Sequence, residues 1–396
     1  MAPALRYFFW LGMTVLTLVV ATTAICVVAD PYRFFDAPTT GWTALKPRAY
    51  QQSDLAKTYM LARTRPATIL LGNSRVEVGL DPQSPEWPAY LRPVFNAALA
   101  GHDLFSALLF LQDDLALKTP KLAVVGLDFQ DFIQAGKGAA APPVGAAELR
   151  MMVDRNGRPN PLRHRQVLAD ALSSTLTIDA LTDSLITLAQ QNSSTGTTLT
   201  DRGFNPLHEY IAAVRQHGAR SLFEQKEADY EKQYRTFKPA DFAKPLENPE
   251  FHYLVAIIRA CASHRVRLIL FTYPYHSAYF ALLHRAGLWR SFEAWKRALN
   301  EVVGQTTART GGDVRLFDFA QESAFSNEPV PPANDRTSQL RWYWEAGHFK
   351  SALGEKIIAR ILQQGTSPLS FGHEMKLTAN GVPPASAMRQ VAEHAR

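Results

Sequence analysis

The stretch Thr68-Ile69-Leu70-Leu71-Gly72-Asn73-Ser74-Arg75-Val76 decides how the chain is read. Its first four residues form a short apolar run with no polar alternation, the pattern of a strand buried on both faces of a parallel sheet. The run stops at a glycine-led turn. The same pattern returns at Val94–Ala98, Leu122–Leu127, Arg267–Thr272 and Val314–Phe317, all within the usual length of a strand. Helical patterns separate them. His102–Leu117 is one, and Pro249–Ser263 is another, with Asn248 as cap and Pro249 in the first position. Upstream, Gln51–Arg65 carries an apolar side of Leu55, Tyr59, Met60 and Ala62 and is stopped by Pro66. Strand and helix alternating in this order predict a three-layer α/β fold with a parallel sheet.

The alternation breaks between the third and fourth strands. Ala135–Glu148 is rich in Gly, Ala and Pro and reads as a flexible connection. Helix-like stretches follow at Gln166–Gln191 and His208–Gln233, separated by the polar run Asn192–Asp201. Residues 135–245 therefore read as a mostly helical insertion or cap on an α/β domain made of 66–134 and 246–365. Residues 31–65 form a linker and helix ahead of it. From 366 to 396 the chain is polar with little periodicity, which predicts a mobile tail.

From Tyr7 to Ala29 there is no charged residue, between Arg6 and Asp30. As a helix this stretch spans about 34 Å, close to the hydrocarbon thickness of a bilayer. The cluster Tyr7-Phe8-Phe9-Trp10 suits a membrane interface, and the basic flank before it favours an inside N-terminus and an exported body. Residues 1–30 thus predict a single-pass anchor in the inner (cytoplasmic) membrane, with the body in the periplasm or an equivalent extracytoplasmic space. A signal peptide cleaved after Val27-Val28-Ala29 is the competing reading, for which the apolar run is long.

Among 396 residues, 46 % are hydrophobic and 20 % charged, which excludes a largely disordered chain. The net charge of +6 is spread without a basic run and does not point to nucleic acid. Two cysteines exclude a thiolate zinc cluster; no metal or other cofactor is expected. Cys26 falls in the membrane segment and Cys261 in the body, so the two are not expected to pair.

Ligands of open α/β sheets sit at the carboxyl ends of the strands, so the residues just after each strand matter most. Ser74 follows the first strand and reads either as a nucleophile, with its own amide as an oxyanion donor, or as a turn and cap serine. The second strand leads through Asn96 to Gly101, an unhindered amide or only a turn. The third ends in Asp128 and Asp131, the fourth in His276, and Asp318 follows the fifth. Near the end of the body, Trp344-Glu345-Ala346-Gly347-His348 precedes an amphipathic helix with Leu353, Ile357, Ile358, Ile361 and Leu362. A carboxylate three residues before a histidine can orient it to take a proton from a hydroxyl across a cleft.

A serine after strand one, a glycine after strand two, Gly126-x-Asp128 after strand three and Glu345-x-x-His348 before the last helix form an ordered set. It resembles the SGNH hydrolase superfamily, whose blocks occur in this order on a flavodoxin-like sheet. It looks closest to the membrane-anchored branch related to alginate O-acetylation and D-alanyl-lipoteichoic acid proteins. The resemblance covers about 66–134 and 246–364, and rests mostly on Leu71–Val76 and Gly347-His348-Phe349. It implies Ser74 as nucleophile, His348 as general base and Glu345 as orienter where the family has aspartate, with Asp318 as an alternative. It implies oxyanion donors at Ser74 and Gly101. It also implies an acyl-transfer activity, acetyl to an envelope or exported polysaccharide, with a membrane partner protein as acyl donor. An anchored esterase and a non-catalytic polysaccharide-binding domain, with Trp342-Tyr343-Trp344 as a stacking platform, are the alternatives.

Two positions depart from the family. Asn73 stands where aspartate is usual. Asp128 stands where an oxyanion-hole asparagine is usual, and an ionised carboxylate would repel a developing oxyanion. The expectation is that Asp128 is protonated, or that Arg75 or Asn96 replaces it as donor, or that the site is not hydrolytic. His276 and Trp344 are further candidates for the cleft.

Overall fold

The computed structural model describes residues 3–134, 144–191, 199–363 and 371–378. The chain opens with α1 (Pro3–Ala29), whose residues are all exposed as far as Ala21. Among the described residues it is the one helix long and apolar enough to cross a membrane, with a mean hydropathy of 2.3 over its best window. Two helices follow, α2 (Pro47–Gln51) and α3 (Ser53–Thr64), and Arg65 in a left-handed conformation ahead of Pro66 ends the second.

The sheet-forming part then runs β1 (Thr68–Leu71), α4 (Ser74–Gly79), β2 (Val94–Asn96), α5 (Leu104–Leu117), β3 (Leu122–Leu127) and α6 (Phe129–Gln134). The inserted segment contributes α7 (Ala146–Arg150), α8 (Arg163–Ser173), α9 (Ile178–Ala189), α10 (His208–His217) and α11 (Ala219–Tyr234). The chain returns with α12 (Pro249–Ser263), β4 (Arg267–Thr272), α13 (Ser277–Arg285), α14 (Trp289–Thr310), β5 (Val314–Asp318), α15 (Ser351–Ile361) and β6 (His373–Glu374).

The result is a mixed α/β protein with a six-stranded sheet in the order β2-β1-β3-β4-β5-β6. The first five strands are parallel; Ile69 pairs with Phe95 on one side and Ala123 on the other, and Leu270 lies between Val125 and Leu316. Strands β1 to β3 are buried at every position, which explains their unbroken apolar character. Helices α5, α12 and α14 pack side by side in that order, while α4 packs on α15. The expected cap of α12 is in place, and the start of α5 lies two residues later than expected. Asn248 accepts the Glu250 amide, and α5 starts at Leu104 under an Asp103 cap rather than at His102.

Three expectations change. First, β2 stops at Asn96 instead of Ala98, because the Ala98 amide turns to the Asn96 side chain. Second, the tail is not all loose: Phe371 is buried, β6 pairs antiparallel with β5, and Arg315 holds Glu374 at 2.6 Å. The rest of the segment read as tail, 366–370 and 379–396, lies outside the described residues, as do 135–143 and 192–198 of the two stretches read as connections. Third, Cys26 faces protein, not lipid. It is fully buried in a small cluster with Tyr32, Leu55, Tyr59 and Ala180. Both cysteines are free.

The inserted segment does more than rest on the sheet. Asn96 donates its amide to the Arg202 carbonyl and Asn205 donates to Glu77, so the loop before α10 covers the otherwise open edge at β2.

Candidate active site

Strand β1 delivers the chain to Gly72 at φ 145°, where an added Cβ would stand 2.7 Å from Val76 Cγ2 and 2.8 Å from the Tyr273 hydroxyl. Only glycine fits. Asn73 then caps α4, its side-chain oxygen accepting the Arg75 amide at 3.1 Å. Ser74 is thereby the first residue of α4, half-buried, with a first-turn amide that has no carbonyl within the helix to bond.

Opposite it, Trp342–Lys350 makes a tight reversal. Tyr343 and Phe349 bridge antiparallel, and the Trp344 amide donates to the His348 carbonyl at 2.9 Å. The His276 amide donates to Ala346, pinning the turn to the chain after β4. Glu345 and His348 therefore project from one turn. Phe349 lies where Gly79 of α4 offers no side chain, which lets the turn approach the helix that carries Ser74.

The structure brings these three residues together. Ser74 Oγ lies 2.8 Å from His348 Nε2, and His348 Nδ1 is hydrogen-bonded to Glu345 Oε1. The other Glu345 oxygen accepts the Gly347 amide at 2.8 Å. With Nδ1–H directed at the carboxylate, Nε2 is the acceptor for the serine hydroxyl; Glu345 sets the tautomer. Burial works to raise the Glu345 pKa, but His348, the Gly347 amide and Arg75 together hold it below the ordinary glutamate value. The longer side chain of glutamate reaches the imidazole without difficulty.

Asp128 has a different role from the one its position suggested. It is 1 % exposed and both oxygens are engaged. Oδ2 is ion-paired with Arg75 Nη1 and accepts from Asn73 Nδ2 at 2.8 Å; Oδ1 accepts from the Tyr275 hydroxyl at 3.0 Å and the Gln130 amide at 3.1 Å. A carboxylate so neutralised presents little charge to an oxyanion. Arg75 is likewise neither an exposed ion pair nor an open cation. It is buried among the rings of Tyr273, Tyr275 and Tyr279, and its Nε donates to the Gly347 carbonyl at 2.8 Å. Burial opposes its charge, yet Asp128 holds its pKa well above the usual value. Arg75 thus ties the residue after Ser74 to the residue before His348. Asn73 extends the same network: its amide reaches Asp128 and, at 3.5 Å, Asp131.

Three candidates are not brought to Ser74. Asn96 donates Nδ2 to the carbonyls of Val76 and Leu80, both at 2.9 Å, so it anchors α4 rather than a substrate. His276 caps α13 through Nδ1 and donates Nε2 to the Glu328 carbonyl at 2.8 Å. Asp318 accepts from Thr272 Oγ1 and the Ala320 amide, while His348 Nδ1 is held by Glu345 instead. Gly101 is exposed at φ 74°, in a loop tied to the serine turn by the Leu99 amide on the Gly72 carbonyl. Trp344 is half-buried; its ring meets Tyr210 and the Lys350 ammonium 4.3 Å from its centroid.

One site neighbour has no counterpart in the sequence reading. Tyr230 of α11 puts its hydroxyl 3.4 Å from His348 Nδ1 and 3.5 Å from Glu345 Oε1. The spacing of Phe223, Tyr230 and Tyr234 marks a buried stripe on α11, but helical period alone does not say what that stripe covers. A groove of about 650 Å³ lined by Phe280, His284, Trp289 and Lys296 includes neither Ser74 nor His348. Among the described residues no group of three or more His, Cys, Asp or Glu is placed to hold a metal ion. No protein-family model and no curated protein matches the chain.

Proposed function

We propose that this protein is a membrane-anchored, SGNH-type O-acyltransferase that works through an acyl-enzyme on Ser74. The observation that carries the reading is the continuous relay from the Ser74 hydroxyl through His348 to the buried Glu345. In support, the strand order 2-1-3-4-5 matches that of flavodoxin-like sheets. With right-handed crossovers, α5, α12 and α14 fall on one face and α4 with α15 on the other, giving three layers.

In the first half-reaction Ser74 Oγ attacks the acyl carbonyl while His348 Nε2 takes its proton. Glu345 stabilises the imidazolium, and we assign the Ser74 and Gly101 amides as donors to the oxyanion. The tetrahedral intermediate expels the donor's leaving group, which takes the proton from His348. A sugar hydroxyl then attacks the acyl-serine, giving its proton to Nε2, and collapse returns that proton to Ser74. We take the acyl group to be acetyl, the acceptor an envelope or exported polysaccharide, and the donor a membrane protein that α1 keeps close. In this reading α1 is an uncleaved inner-membrane anchor and the body is extracytoplasmic.

Asp128 was the sequence argument for a non-catalytic polysaccharide-binding domain; its pairing with Arg75 answers the charge repulsion in that argument, and the reading leaves the oxyanion to backbone amides. Hydrolysis is the competing fate of the same acyl-serine, and rapid turnover of a simple ester without a glycan acceptor would mark an esterase. The direct test is Ser74→Ala in the full chain. Loss of polysaccharide-bound acetyl together with loss of labelling by a fluorophosphonate supports the proposal; unchanged acetyl content overturns it.

A further inference from the structure

The α8–α9 hairpin carries apolar side chains that its fold does not use. Leu168 and Leu172 are exposed on α8, Leu176 lies exposed in the turn, and Ile178 at the start of α9 is 84 % exposed. Elsewhere in the body exposed aliphatic side chains such as Val144 and Leu246 stand singly, whereas here four fall within eleven residues. The opposite side of the hairpin explains why it is held. Ala180, Ser184 and Thr187 are fully buried small residues on one side of α9, which packs along α1.

The direction of that packing matters. Ala180 shares an apolar cluster with Cys26, three residues before the end of α1. Further along α9, Asp183 is bonded to Tyr32 and Arg48, and Gln191, just past its end, to the backbone of Leu45. As α1 passes Cys26 into Tyr32 and Leu45, α9 passes from Ala180 to Asp183 and Gln191. The two helices therefore run in the same sense, and the start of α9 lies towards the earlier, wholly exposed part of α1. The turn with Leu172, Leu176 and Ile178 points along α1 in the direction of its apolar span.

We propose that the tip of this hairpin, Leu172–Ile178, inserts into the interfacial region of the bilayer beside α1, so that the body is seated on the membrane at two places. The occupant of the apolar tip is lipid, because the tip points along α1 towards the exposed apolar residues that need lipid. The tip is otherwise uncharged, with Asp179 its one exposed acid, while Arg163, His164 and Arg165 lie at the far end of α8, about 15 Å back along the helix. Seating at two points fixes the tilt of the body, and hence the height of Ser74 above the membrane, more firmly than α1 does by itself. This proposal rests on α1 being retained as an anchor.

The test uses the full chain in vesicles of phosphatidylethanolamine and phosphatidylglycerol, with Ile178→Cys, Leu172→Cys or Leu16→Cys labelled by an environment-sensitive fluorophore. Unsubstituted protein, whose cysteines are both buried, is the labelling blank. The expected result is that positions 16, 172 and 178 are all quenched more strongly by nitroxide-bearing lipid than by aqueous iodide. Lipid quenching at 16 with iodide quenching at 172 and 178 overturns the seating and leaves the anchor standing. Protection of 172 and 178 from both quenchers overturns it in favour of a protein partner or second copy on the tip. Absence of lipid quenching at 16 overturns the anchor and the seating together.

Discussion

Glu345 and Asp128 are two carboxylates at the carboxyl edge of one sheet, each 1 % exposed, and they serve opposite ends. Glu345 is paired with an imidazole whose far nitrogen faces a half-buried hydroxyl. Asp128 is paired with a guanidinium enclosed by tyrosines, and its remaining valences are taken by Asn73, Tyr275 and a backbone amide. Burial alone does not make a carboxylate catalytic. In the proposed mechanism a partner that exchanges protons passes the influence of the charge to the attacking hydroxyl, whereas a partner that keeps its proton locks two turns together.

The sharpest way to break this contrast is at the open end of the relay. Ser74→Ala should lower acyl transfer by a factor on the order of 10⁶ while the unfolding midpoint stays unchanged. Loss of stability instead would make Ser74 a turn residue. Glu345→Gln should lower the rate by about 10⁴ through the wrong imidazole tautomer, with a circular-dichroism melt close to that of the parent. Arg75→Leu should act in the reverse manner. Leaving Asp128 buried without its cation costs about 3–5 kcal/mol of stability, read by urea denaturation. The double variant with Asp128→Leu should recover much of that loss.

A smaller effect separates pH-dependent stability from the relay. Burial first, then Asp103, pushes Glu250 up to about 8, against the pull of the Leu104 amide. The folded protein therefore holds a proton that the unfolded chain has released. The stability this contributes is complete below the ordinary glutamate range and is lost as pH rises towards 8. Denaturation midpoints in Glu250→Gln should fall less across that interval than in the parent; an identical slope would count against a protonated Glu250. The smallest change is expected for Tyr230→Phe, whose hydroxyl makes only long contacts with the relay. Its rate should stay within about tenfold of the parent, since a typical hydrogen bond contributes about 1 kcal/mol.

Much of this site was legible because chain order carries it. Gly72, Asn73 and Ser74 follow a strand directly, and Glu345 and His348 belong to one turn, so local rules place each group. The partners of Asp128, Arg75 and Asn96 were not legible. A carboxylate, a guanidinium and an amide near a strand end have the same sequence signature whether they face solvent, substrate or one another. Their partners lie tens to hundreds of residues away. The strand β6 escaped for a related reason: two polar residues, His373 and Glu374, have no apolar pattern and are held by Arg315 and the edge of β5.

The sequence by itself determined the five parallel strands, the apolar first helix and the order of the serine, carboxylate and histidine blocks, because hydrophobic period and turn chemistry are local. Only the tertiary structure decided which polar groups near the sheet edge act on Ser74 and which are spent on holding it. It also turned Cys26 towards the protein and brought Tyr230 of the insertion over the relay. Those outcomes depend on pairing in a dry interior, where every buried charge and donor must find a partner, and that condition is set by the whole fold.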